Sequence, residues 1–163
     1  MVGIRGGTFQ LEGKLDSSEM MISNHISLSE ATKSQLAIRK GIDNTPGPKH
    51  IEAMKLVANM CFEPLRVWYG KPIGITSFYR SPALNRALKG SRRSQHMLGQ
   101  AIDIDADVFN NGITNAKIFR WLVNNVDYDQ IIWEFGDDSN PSWVHISYVA
   151  NGKNRREVIR ITS

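Results

Sequence analysis

The residues best equipped for chemistry in this 163-residue chain fall in Ser94-Gln95-His96-Met97-Leu98-Gly99-Gln100-Ala101-Ile102-Asp103 and, some forty residues on, in Trp143-Val144-His145. An imidazole and a carboxylate stand seven residues apart across a glycine, and a second imidazole follows on another segment. Two histidines and one carboxylate suit catalytic zinc. Three protein donors leave the fourth tetrahedral position to water, which the metal can acidify to a pKa of about 7. A closed four-ligand structural site would have no cysteine pair to draw on, since Cys61 is the single cysteine. The His-Glu-x-x-His helix of other zinc hydrolases is also absent. The competing explanation is plainer: a strand of a small sheet turns one face to solvent, and a wet polar face would also carry Asp103 and His145. His25 precedes the first helix and His50 lies in the first turn of the second, so both are expected at the surface or at caps rather than as ligands.

The elements that must position these groups follow from periodicity and capping signals. Ser27-Leu28-Ser29-Glu30 has capping-box spacing and predicts a helix to about Lys40, stopped by Gly41. A core helix begins near Pro48, with Ile51, Met54, Ala58, Cys61, Leu65 and Trp68 on one face and a bend at Pro64. Ile73 to Tyr79 reads as a strand, and Ser81-Pro82 starts a short helix closed by Gly90. Ala101 to Ala106 alternates, so Asp103 and Asp105 share one face and Ile102 and Ile104 the other. Thr114 caps a helix over 115–126. The strand Gln130 to Phe135 puts Gln130, Ile132 and Glu134 on one face, and the strand Trp143 to Val149 does the same for Trp143, His145 and Ser147. Asn151-Gly152 is a hairpin signal leading into a last strand around Glu157 to Ile161. Helices come first and strands later, which reads as α+β with a small, mainly antiparallel sheet.

Composition excludes several classes. The net charge of +4 is spread out, and the dense basic runs, Arg92-Arg93 and Lys153 to Arg156, are not interleaved with aromatics. Nucleic acid is therefore not an expected partner, whereas an anionic cell wall is compatible. Cys61 reads as a small buried hydrophobe, so no disulfide forms within the chain. No stretch approaches the roughly 20 apolar residues of a membrane span, and no export signal is evident. Residues 1–20 read as an N-terminal arm, flexible or a cloning remnant, and 21–163 as one catalytic domain.

The pattern Ser94-x-His96-x-x-Gly99-x-Ala101-x-Asp103, followed by Trp143-x-His145, resembles the signature of the zinc D-Ala-D-Ala carboxypeptidase family. That family includes the L-Ala-D-Glu endopeptidases of phage endolysins and shares the hedgehog/DD-peptidase fold. The likeness extends upstream to Ser77-Phe78-Tyr79-Arg80-Ser81, where the family has an arginine that contacts substrate, and covers most of the chain. It implies Zn2+ as cofactor, His96, Asp103 and His145 as its ligands, Arg80 as a substrate anchor and peptidoglycan peptides as partners. It also implies a peptidase that hydrolyses stem or cross-bridge amides; the chain is expected to be a monomer. Several relatives carry a carboxylate three residues before the last histidine, where this chain has Ser142. Glu134 is the expected general base instead, with Asp137 and Asp138 as fallbacks, and Asp105 is expected to be structural. Absence of an export signal points to delivery by phage, from the host cytoplasm at lysis or on a virion. The alternative function is a zinc-bearing binding or virion module of the same fold without turnover, which Ser142 keeps open.

Overall fold

The helical half is assembled from separately capped segments. In the computed structural model, which describes residues 20–162, a hairpin of β1 (Met21–Ser23) and β2 (Ile26–Ser27) comes first. Except for Met20, the arm expected over 1–20 lies outside the described residues. Ser27 Oγ accepts from Glu30 N and starts α1 (Leu28–Thr32). The single helix expected to Lys40 is two. Ser34 Oγ accepts from Ala37 N and starts α2 (Gln35–Lys40) afresh, ending at left-handed Gly41. A serine that can cap a new turn competes with continuation of the old one.

Pro48 opens α3 (Pro48–Val57), where Gly47 N donates to His50 Nδ1, so His50 is a cap. Pro64 does more than bend the long helix. It has no N–H for the Met60 carbonyl, and the ladder widens into a π turn, Ala58–Phe62, in which Glu63 N reaches Ala58 O. The phase shifts on entering α4 (Glu63–Tyr69). Met54, Ala58, Cys61 and Leu65 hold the buried face, but Trp68 turns outward to 45% exposure and stacks on Trp121. Burial pushes the Cys61 thiol pKa up, in keeping with a packing role. Glu63 accepts from Ser23 Oγ (2.6 Å) and His25 N (2.8 Å) and pairs with His25 Nδ1 (2.6 Å), fastening the first hairpin to the helix.

β3 (Gly74–Ser77), β4 (Ala101–Asp105), β5 (Gln130–Glu134), β6 (Trp143–Ser147) and β7 (Glu157–Ile161) form one sheet in the order β3-β4-β6-β5-β7. The first three pairings are antiparallel, and β5–β7 is parallel. Asn151 and Gly152 take positive φ (68° and 69°) as a hairpin turn needs, yet β7 does not return along β6. Both edges of β6 are already taken by β4 and β5, so the chain crosses to the free edge of β5. α5 (Pro82–Ala87) is capped by Ser81 and α6 (Asn115–Asn125) by Thr114. Ile102, Ile104, Ile131, Val144 and Ile146 make the buried face of the sheet, joined in one core with Met54, Val57, Leu65, Ile118 and Leu122. The opposite face is left for Asp103, Asp105, Glu134 and His145. Among the described residues no helix is long and apolar enough to cross a membrane.

Gly99, at the centre of the opening motif, is left-handed (φ +71°), and a Cβ there would lie 2.6 Å from the His50 carbonyl oxygen of α3. Gly41 is also left-handed (φ +62°) but has nothing within 4 Å of a Cβ. Gly41→Ala is expected to cost about 1–2 kcal/mol from backbone strain alone. Gly99→Ala is expected to cost about 3 kcal/mol or more, because overpacking adds to the strain. Urea unfolding of the two variants checks the difference.

Candidate metal centre

His96 is presented by a single 3₁₀ turn, Gln95–Leu98, that begins at Ser94, whose Oγ accepts from His96 N, and ends at Gly99. Arg80 N donates to the His96 carbonyl at 3.2 Å, tying the turn to the chain just beyond β3. His96 Nδ1 lies 2.7 Å from the Phe78 carbonyl oxygen. A carbonyl only accepts, so Nδ1 carries the proton and Nε2 is the nitrogen turned to the site, 3.2 Å from Asp103 Oδ2.

Strand register supplies the other two groups. Asp103 of β4 is paired with His145 of β6, and paired residues point to the same face. Asp103 Oδ1 lies 3.0 Å from His145 Nδ1, and the two imidazoles meet edge to face with centroids 5.1 Å apart. His96, Asp103 and His145 are all buried, at 3%, 5% and 8% exposure, so the wet-face explanation fails for them. Burial alone would raise the Asp103 pKa. The flanking His96 and His145 outweigh it and hold the carboxyl well below the usual range.

One donor atom from each of the three residues lies within 4.8 Å of the others, and the cluster could hold a metal ion. His96 Nε2 lies against Asp103 Oδ2 (3.2 Å) and His145 Nδ1 against Oδ1 (3.0 Å), so each imidazole faces its own carboxylate oxygen. Nitrogen and carboxylate oxygen are the donor types zinc takes in catalytic sites.

Arg80 is brought in directly. Its Nε donates to Ser77 Oγ (3.0 Å) and its Nη2 to Asp103 Oδ2 (3.4 Å). Glu134 stands two register positions from His145, on the same face: β5 and β6 pair Ile132 with His145 and Glu134 with Trp143. Partial burial, and then the charge of Asp103, raise the Glu134 pKa against the opposing pull of His145 and Arg80. The fallback carboxylates are committed elsewhere. Asp137 Oδ1 accepts from Ser139 N, Ser139 Oγ and Asn140 N within its own loop, and Asp138 pairs with Arg160. Asp105 Oδ1 accepts from Asn115 Nδ2 and Asp107 N, which fixes the orientation of its carboxylate. A cleft of about 790 Å³ runs from Arg80, Asp103 and Trp143 along β3 to Val108 and Phe109.

Two supporting residues escape sequence reasoning. Buried Asn115 joins Ala106 N, Asp105 and the carbonyls of Pro141 and Ser142, locking the segment that leads into β6. Buried Asp129 accepts from Gln95 Nε2 (3.0 Å) and from the backbone and guanidinium of Arg155, and so braces the His96 turn against the approach to β7. Each is a lone polar residue at an element boundary, and only burial distinguishes it from a loop residue.

The peptidase M15 family model matches residues 24–147, most of the chain. The chain therefore belongs to the peptidase M15 family, a family of metallopeptidases, and its α+β architecture with a small, mainly antiparallel sheet is compatible with the hedgehog/DD-peptidase fold. No curated protein matches the sequence.

Burial would raise the Asp129 pKa, but Arg155 and then Gln95 depress it. A carboxylate with a depressed folded pKa stabilises fully above its unfolded value, near pH 3.9, and loses that contribution as pH falls through the folded value. In the metal-free protein, Asp129→Asn is expected to cost about 1–2 kcal/mol at pH 7, a modest figure because Arg155 is half exposed. Urea unfolding at pH 7 and pH 3 should show the gap between parent and variant narrowing in acid.

Proposed function

We propose that the chain is a zinc-dependent peptidase hydrolysing amide bonds in peptidoglycan peptides. The observation that carries this reading is the convergence of His96, Asp103 and His145, with Asp103 also lining the cleft, in a member of a metallopeptidase family. His96 Nε2, His145 Nδ1 and the Asp103 carboxylate would hold the ion. Zinc bound there would polarise the scissile carbonyl and acidify a water.

The chain's own groups divide the remaining work. Phe78 fixes the His96 tautomer through its carbonyl, so the ligand nitrogen needs no rearrangement. Arg80 spends one N–H on Ser77 and one long contact on Asp103, leaving guanidinium donors for a substrate carbonyl or carboxylate. Glu134 takes a proton from the attacking water and returns it to the leaving amine. It also answers the serine at 142: Ser142 N donates to the Glu134 carbonyl at 2.9 Å, so Glu134 neighbours the position where relatives carry their carboxylate.

The second reading, a metal-bearing binding module without turnover, is favoured by Ser142 alone. One experiment separates the two. Purified protein is incubated with peptidoglycan, with and without a chelator, and released peptides are identified by mass. Peptide release that stops with chelator and returns with zinc is expected, together with a rate loss of roughly 100-fold or more in Glu134→Gln at unchanged zinc content. Bound zinc with no bond cut, or full activity in Glu134→Gln, would overturn the peptidase assignment or the role of Glu134, respectively.

A further inference from the structure

The far end of the cleft has a composition that the hydrolytic step does not use. Asp105 lies two residues beyond Asp103 on the same face of β4, about 6.6 Å along the strand, and lines the cleft. Its Oδ1 is fixed by Asn115 Nδ2 and Asp107 N, both at 3.0 Å, and Asn115 is itself buried. Among the described residues no hydrogen bond reaches its Oδ2 and no cation pairs with the carboxylate. Lys33, which also lines the cleft, has Glu30 as its charged neighbour and makes no ion pair with Asp105.

Beside this carboxylate stand two large apolar side chains, Val108 and Phe109, each 49% exposed and each lining the cleft. Their place is built into the fold. A Cβ on Gly74 would come within 2.2 Å of Val108 Cβ, so only glycine on β3 lets this segment lie so close to the strand. Anion and exposed hydrocarbon together fit a ligand with a methylene chain ending in a cation. Arg80, at the opposite end of the cleft, would repel that cation and so favours a single orientation.

We propose that this end of the cleft is a subsite for an aminoalkyl side chain: its methylenes lie on Val108 and Phe109, and its terminal ammonium pairs with Asp105. The preferred substrates are then peptides carrying a diamino acid with a free side-chain amine. This inference rests on the peptidase reading and assigns substrate selectivity to the same cleft.

The test uses three synthetic peptides of one sequence, with the side-chain amine free, the side-chain amine acetylated, or the side-chain amine free and the α-amine acetylated. Hydrolysis by the zinc-loaded protein is followed together with binding to zinc-loaded Glu134→Gln. The free side-chain amine should lower KM and Kd roughly tenfold relative to its acetylated form, with kcat changed much less, and acetylating the α-amine should have little effect. Asp105→Asn, which keeps the Oδ1 acceptor, should bring the free-to-acetylated ratio close to one. As a check that needs no folded variant, the parent's preference should shrink in high salt. Equal KM and Kd for free and acetylated side chains, selectivity governed by the α-amine, or undiminished selectivity in Asp105→Asn would each overturn the subsite. If no peptide is cut, the peptidase reading fails, and the binding arm still decides the subsite.

Discussion

A carboxylate at the centre of the sheet, with almost no access to water, sets the terms for the rest of the structure. Asp103 cannot remain charged there without compensation, and the groups that face it, two imidazoles and one guanidinium, come from three different parts of the chain. Each contributor is held by backbone geometry. The β4–β6 register places His145, the Phe78 carbonyl orients His96, and the hydrogen bond from Arg80 N to the His96 carbonyl brings the guanidinium alongside. Slipping β4 or β6 by one residue would turn Asp103 or His145 to the core face, so the sheet and the site specify one another.

Strand assignment carried most of what was legible beforehand. Period-two alternation at Ala101 to Asp105 and Trp143 to Ser147 fixes which side chains share a face, and that is enough to bring Asp103 and His145 together once the strands pair. Capping serines and the left-handed Gly41 were equally readable, because each acts within a few residues of itself. What the sequence did not disclose depends on contacts distant along the chain. The π turn at Ala58–Phe62 is how the fold accommodates Pro64 while keeping Leu65 buried, and it moves Trp68 out of the core. The parallel β7 follows from the occupancy of β6's edges, which the local Asn151-Gly152 signal cannot encode. Asn115 and Asp129 look like ordinary boundary residues until their burial is known.

The candidate site shows the same division. The metal-ligand pattern is compact in sequence and matches a family signature, whereas the carboxylate proposed as base is not at the position where relatives carry one. Glu134 is near that position only because β5 runs antiparallel beside β6, with Ser142 bonded to its carbonyl.

The most direct test of the account is the metal itself. Metal-free protein would be equilibrated with zinc by dialysis and its bound metal measured by elemental analysis, beside His96→Ala of verified fold. One zinc per chain is expected in the parent and less than about a tenth of that in the variant, since loss of one of three protein ligands removes most of the affinity. A parent that retains no zinc, or a folded His96→Ala that retains a full equivalent, would contradict the account.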